Sequence, residues 1–129
     1  MTRLSAAYLA LQAALTVLWW AMLATAPSVR ERFELLADHR PLLDAFVVAD
    51  LVIFVAGSAL GAWGLWHEAR WAPAVVAFTA GGVLYATVVL AGFVGLRPAG
   101  GGGGLGLVAM VAAAVVTAAI AVRAARTAS

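Results

Sequence analysis

Asp50 is the residue whose type and position could support chemistry inside a membrane. It lies about two helical turns inside an apolar stretch that begins near Leu42. A carboxyl group at such depth is rare, faces protein or water, and by default indicates a functional site. The sequence therefore makes Asp50 the first candidate for a proton site or for contact with the polar group of a ligand.

Aromatic hydrogen-bond donors lie at the depth of Asp50 if successive apolar stretches alternate in direction. These donors are Trp19 and Trp20 in the first stretch and Tyr85 in the third. Indole N–H and phenol O–H groups are donors that a buried carboxyl group needs. One hypothesis is that the four residues line a small ligand pocket or proton site. The other is that Asp50 is hydrogen-bonded and only ties helices together.

Three glycines share the predicted helical face of Asp50. At 100° per residue, Gly57, Gly61 and Gly64 fall within about 40° of it. Gly57 and Gly61 have the Gly-x-x-x-Gly spacing that lets helices pack closely in lipid. The sequence predicts that this face, with Asp50 on it, packs against a neighbouring helix.

The composition indicates which elements position these residues. Of 129 residues, 65% are hydrophobic and 11% are charged, against about 45–50% and about 25% in soluble domains. Four stretches approach the roughly 20 apolar residues that a membrane span needs: residues 4–26, 42–66, 73–96 and 105–122. The prediction is an all-α, polytopic membrane protein. Residues 1–129 form a single domain, an antiparallel four-helix bundle.

The first loop contains the pattern of a short interfacial helix. Ser28 and Glu31 have capping-box spacing, and Val29, Phe33 and Leu36 fall on one helical face. Such a helix would lie on the membrane surface. An ordinary solvated connection accounts for the same residues equally well.

Several classes of site are excluded or disfavoured. The chain has no cysteine, which excludes a disulfide or a thiolate metal site. His39 and His67 belong to successive loops, on opposite membrane faces, and could not ligate one metal ion. We therefore expect no metal and no cofactor. The arginines stand at the ends of the stretches and form no basic stripe, which argues against nucleic acid and leaves the lipid bilayer as the main partner.

The arginines also bear on orientation. Their counts on the two sides are equal, but Arg3, Arg123 and Arg126 lie near the termini, and cytoplasmic segments are enriched in Lys and Arg. We expect both termini in the cytoplasm and the protein in a bacterial inner membrane.

Short motifs give a resemblance in layout. Trp19 and Trp20 precede a Phe-x-x-x-Asp-Leu pattern that begins at Phe46, and Trp71 and a Gly-x-x-x-Tyr pattern ending at Tyr85 follow. In this the chain resembles a group of uncharacterised bacterial four-helix small integral membrane proteins. The resemblance implies the same layout and no particular activity.

Three functions remain open from the sequence. The first is a non-enzymatic helix-packing module, a homo-oligomer or an accessory subunit of a larger membrane complex. The second is a lipophilic-ligand binding protein, or a small membrane enzyme using the intramembrane acid Asp50. The third is half of a proton-coupled transporter. A packing module requires Asp50 to be sealed by its neighbours, whereas a binding site requires an opening beside it.

Overall fold

A computed structural model describes residues 2–33, 40–95 and 103–128. The elements are α1 (Thr2–Thr25), α2 (Pro27–Phe33), α3 (Arg40–Asp50), a π-helical segment (Leu51–Gly57), α4 (Ser58–Trp66), α5 (Ala72–Gly95) and α6 (Gly103–Ala128). No strand occurs among these residues, and the prediction of an all-α fold is confirmed. Leu36 and His39, which entered the interpretation of the first loop, lie outside the described residues.

Four helices are long and apolar enough to cross a membrane, as expected of a multi-pass membrane protein. They cover Thr2–Thr25, Phe46–Trp66, Ala72–Val94 and Gly104–Thr127. The second crosses from α3 through the π-helical segment into α4. The fourth is longer than the predicted 105–122 and includes Arg123 and Arg126. Both arginines are exposed, and cations at a helix C-terminus interact favourably with the helix dipole.

Helix α2 forms in the first loop and packs back against the bundle. The backbone N–H groups of Val29 and Arg30 both donate to the carbonyl oxygen of Ala26, so the helix begins before the predicted Ser28 cap. Proline suits this first position because it has no N–H to leave unpaired. The Phe33 ring meets the Trp19 ring edge to face, with centroids 4.6 Å apart. An Arg30–Asp44 ion pair of 2.6 Å ties α2 to α3.

The four long helices contact one another unequally. Helix α5 packs along α6, and α1 packs along α4 and the π-helical segment. Helices α1 and α6 touch at only a few places in the described part of the chain. The bundle is therefore well packed on three sides and parted between α1 and α6.

The π-helical segment changes which residues of the second span share a face. A π-helix has wider turns than an α-helix, so residues beyond it are rotated from the positions that 100° per residue predicts. Asp50, immediately before the segment, contacts α1, whereas Gly57, at its end, packs against Thr79 of α5. Asp50 therefore faces α1, Gly57 faces α5, and Gly61 meets both helices through Leu9 and Val76.

Candidate ligand-binding cavity

Trp20 holds the side chain of Asp50. The indole Nε1 of Trp20 donates to Oδ2 of Asp50 at 3.0 Å, and both side chains are half-buried. The helices run in opposite directions, which brings the end of α1 to the level of Asp50. The second carboxyl oxygen, Oδ1, has no protein donor within the described part of the chain. Asp50 therefore retains acceptor capacity for a group that is not part of this fold.

Asp50 lines a cavity of about 490 Å³ between α1 and α6. Helix α1 contributes Leu11, Gln12, Leu15, Thr16, Trp19 and Trp20. Helix α6 contributes Gly106, Ala109, Met110, Ala112, Ala113 and Val116. The second and third spans close the back with Phe46, Phe54, Ala86 and Leu90, and α2 adds Phe33. The lining is mainly apolar, and Asp50 is its only ionisable carboxyl group among the described residues.

The cavity is open along the side of the bundle. Leu15 lines it on α1 and is 55% exposed, and Val116 lines it on α6 and is 39% exposed. Because α1 and α6 touch at only a few places in the described part of the chain, the gap between them leaves the cavity open to the outside of the bundle. In a membrane, this opening would face lipid chains.

A buried polar group lies in the cavity wall near the bundle centre. The side chain of Gln12 donates from Nε2 to Oγ of Ser58 at 3.0 Å and accepts at Oε1 from Oγ1 of Thr117 at 2.9 Å. Thr117 and Ser58 are completely buried, and Gln12 nearly so. The three side chains link α1, α4 and α6. Within the described structure, the bond between Gln12 and Thr117 joins the side chains of α1 and α6, which are otherwise parted.

Sequence reasoning did not find the Gln12–Ser58–Thr117 group. A signal was available, because each residue is an isolated polar residue in an apolar stretch. Matching the three by depth, as was done for Asp50, would have placed them together. The cavity itself gave no signal, because its α6 wall consists of alanine, glycine and valine, which also suit ordinary helix packing.

Tyr85 does not join the other site residues. Its side chain is 72% exposed and does not line the cavity. The buried face of α5 passes through Thr79, Val83 and Thr87. Tyr85 is two residues from both Val83 and Thr87, and two residues are about 200° of rotation, so Tyr85 lies on the opposite side of the helix. The depth of Tyr85 matches that of Asp50, but depth does not determine rotation.

The predicted packing glycines make close contacts within the chain. A Cβ on Gly57 would lie 2.6 Å from Oγ1 of Thr79, and one on Gly64 would lie 2.7 Å from the ring of Trp71. A Cβ on Gly61 would meet Val76 at 3.1 Å and Leu9 at 3.4 Å. Because α1 and α5 already occupy this face, the glycines are not available for packing against a second chain.

Neither a metal site nor similarity to a known protein indicates what the cavity is for. Among the described residues, no three His, Cys, Asp or Glu side chains come close enough to hold a metal ion. Comparisons with protein-family models, curated proteins and solved structures found no match. The geometry of the cavity is therefore the basis for a functional hypothesis.

Proposed function

We propose that this protein binds a lipophilic small molecule in the cavity between α1 and α6, with the polar group of the ligand at Asp50. The observation that supports this is an acceptor oxygen without a protein donor at the wall of an apolar cavity of about 490 Å³. Small-molecule sites typically have volumes of about 300–1,000 Å³, apolar linings and a few polar groups. The ligand is therefore an amphiphile whose polar group donates a hydrogen bond.

Binding accounts for the site better than a pure packing role. A packing module would have Asp50 enclosed by side chains, but the carboxyl group borders open space. The glycines that could have supported self-association are covered by α1 and α5. Acid–base catalysis is less well supported, because the described cavity wall offers no second carboxyl group or imidazole to exchange protons with Asp50.

We place the protein in a bacterial inner membrane with both termini in the cytoplasm. The exposed arginines Arg3, Arg70 and Arg123 belong to the same end of the bundle as the termini. The guanidinium group of Arg3 lies 5.7 Å from the centre of the Trp66 ring. Cytoplasmic segments are enriched in Lys and Arg, and tryptophan is typical of both membrane boundaries. The cavity and Asp50 then lie toward the opposite, periplasmic side.

Native mass spectrometry from lipid nanodiscs with dodecylamine tests the proposal. Gly106 lines the cavity, and a Cβ there would meet nothing within 4 Å, so Gly106→Phe should place a ring in the Asp50 end of the cavity without disturbing the fold. Gly104 is equally open but does not line the cavity, which makes Gly104→Phe the matched control. We expect the wild type and Gly104→Phe to retain one dodecylamine and Gly106→Phe to lose it.

Asp50→Leu gives a second arm of the same experiment. A hydrogen bond to a charged group contributes about 1.5–3 kcal/mol, so this variant should weaken dodecylamine binding at least about tenfold. Equal retention by the wild type, Gly106→Phe and Asp50→Leu would refute binding in this cavity.

A further inference from the structure

The cavity is long and extends along one half of the bundle. On α1 it runs from Trp20 to Tyr8, twelve residues or ~18 Å, and on α6 from Gly106 to Val116, ten residues or ~15 Å. The hydrocarbon core of a bilayer is about 30 Å thick. The cavity therefore extends from the Asp50 end of the bundle over about half of the membrane thickness, the depth of one leaflet.

The cavity is elongated. Its volume of about 490 Å³ is spread over ~18 Å along the bundle axis, so it is longer than it is wide. An extended hydrocarbon chain suits this shape, because its carbon atoms follow one another along a single line and contact neighbours at about 3.5–4 Å.

The walls of the cavity match a chain better than a flat ring system. Gly106, Ala109 and Ala113 recur at three- and four-residue intervals on α6 and form a shallow groove along the helix axis. Leu11 and Leu15 form the facing ridge on α1. Near the bundle centre, the amide of Gln12 is already bonded to Ser58 and Thr117, so a ligand needs no polar group at that level. At the outer end, the carboxyl oxygen Oδ1 of Asp50 has no protein donor among the described residues.

Resting on the function proposed above, we propose that the ligand is a single-chain amphiphile drawn from one leaflet. Its hydrogen-bond-donating head lies at Asp50, and its hydrocarbon chain follows the α6 groove and ends near Gln12. The chain enters sideways through the opening between Leu15 and Val116, so the molecule never has to leave the membrane.

A molecular ruler tests this geometry. Octylamine and dodecylamine with a photoreactive diazirine at the chain end are added to the protein in nanodiscs, and the labelled residues are mapped by mass spectrometry. With the head fixed at Asp50, the dodecyl chain should label the inner level near Leu11 and Val116. The octyl chain should label the middle level near Leu15 and Ala113. Excess dodecylamine without the diazirine should remove both labels.

Two variants of α6 test whether a substitution in the inner half of the cavity affects only the longer chain. Val116 lines the inner half of the cavity, and Ala119 is exposed on the same helix outside it. Val116→Phe should abolish the dodecyl label at Leu11 and leave the octyl label near Leu15 unchanged, whereas Ala119→Phe should change neither. Labels in the cavity that compete with dodecylamine but do not move with chain length would overturn the single-chain geometry and leave the cavity as a binding site.

Failure of the proposed function gives a different pattern. If both reagents label only the outer surface of the bundle, with no competition and no effect of Gly106→Phe, the cavity binds neither chain. Labels that join two copies of the protein would show instead that a partner chain fills the space between α1 and α6, which contradicts the proposal.

Discussion

Replacing Gly57 by alanine adds one methyl group at the tightest of the predicted glycine contacts. The backbone angles of Gly57, φ −60° and ψ −46°, are ordinary helical values. Any L-amino acid adopts them, so glycine is present here for space and not for conformation. The new Cβ would lie 2.6 Å from Oγ1 of Thr79, a distance that real Cβ atoms do not show.

The side chain of Thr79 has little space in which to move away from the new Cβ. Its side chain is completely buried, and its hydroxyl group donates to the Val75 carbonyl oxygen at 2.9 Å. A β-branched side chain also has few rotamers in a helix. Overpacking of this kind costs about 1–3 kcal/mol, and the higher helix propensity of alanine returns about 0.8–1 kcal/mol. The difference is about 0–2 kcal/mol. Because a contact of 2.6 Å is severe, we expect Gly57→Ala to lower the free energy of unfolding by an amount near the upper end of this range, about 2 kcal/mol.

Reversible unfolding in mixed micelles, followed by circular dichroism, measures this change. Gly81 provides the control, because a Cβ there meets nothing within 4 Å; Gly81→Ala should leave stability unchanged or raise it by up to about 1 kcal/mol. Thr79→Ala removes the colliding hydroxyl group, so the Gly57→Ala/Thr79→Ala double variant should be about 1–2 kcal/mol more stable than the sum of the single effects predicts. Additive effects, or a Gly57→Ala variant as stable as Gly81→Ala, would refute the close packing of these two helices.

Two further predictions concern the buried polar group and the orientation. Gln12→Leu removes the bonds to Ser58 and Thr117 and should cost about 1 kcal/mol, at roughly 0.6 kcal/mol for each hydrogen bond between membrane helices. Leu11→Ala at the exposed wall is its control in the same unfolding assay and should cost less. Green fluorescent protein fused after Ser129 should fluoresce, and alkaline phosphatase fused there should be inactive, because we propose that the C-terminus is cytoplasmic. Active phosphatase at this position would reverse the orientation.

The sequence by itself determined the elements and the depth of their residues. Apolar stretches of about 20 residues can satisfy their backbone groups within lipid only as helices or closed barrels, and the lengths here suit helices. Alternating helix directions then place Asp50 level with Trp20, and the two form a hydrogen bond. Depth follows from counting residues along a helix axis, and counting requires no knowledge of side-chain packing.

Only the tertiary structure decided which way each helix faces. The helices are apolar on every side, so their hydrophobic pattern does not distinguish a lipid face from a packed one. Tyr85 has the depth expected of a site residue and points outward, because Thr79, Val83 and Thr87 occupy the packed face of α5. Across the π-helical segment, Asp50 faces α1 and Gly57 faces α5, which a constant 100° rotation does not predict. The cavity likewise results from how far α1 and α6 stand apart, and that distance depends on contacts among all four helices.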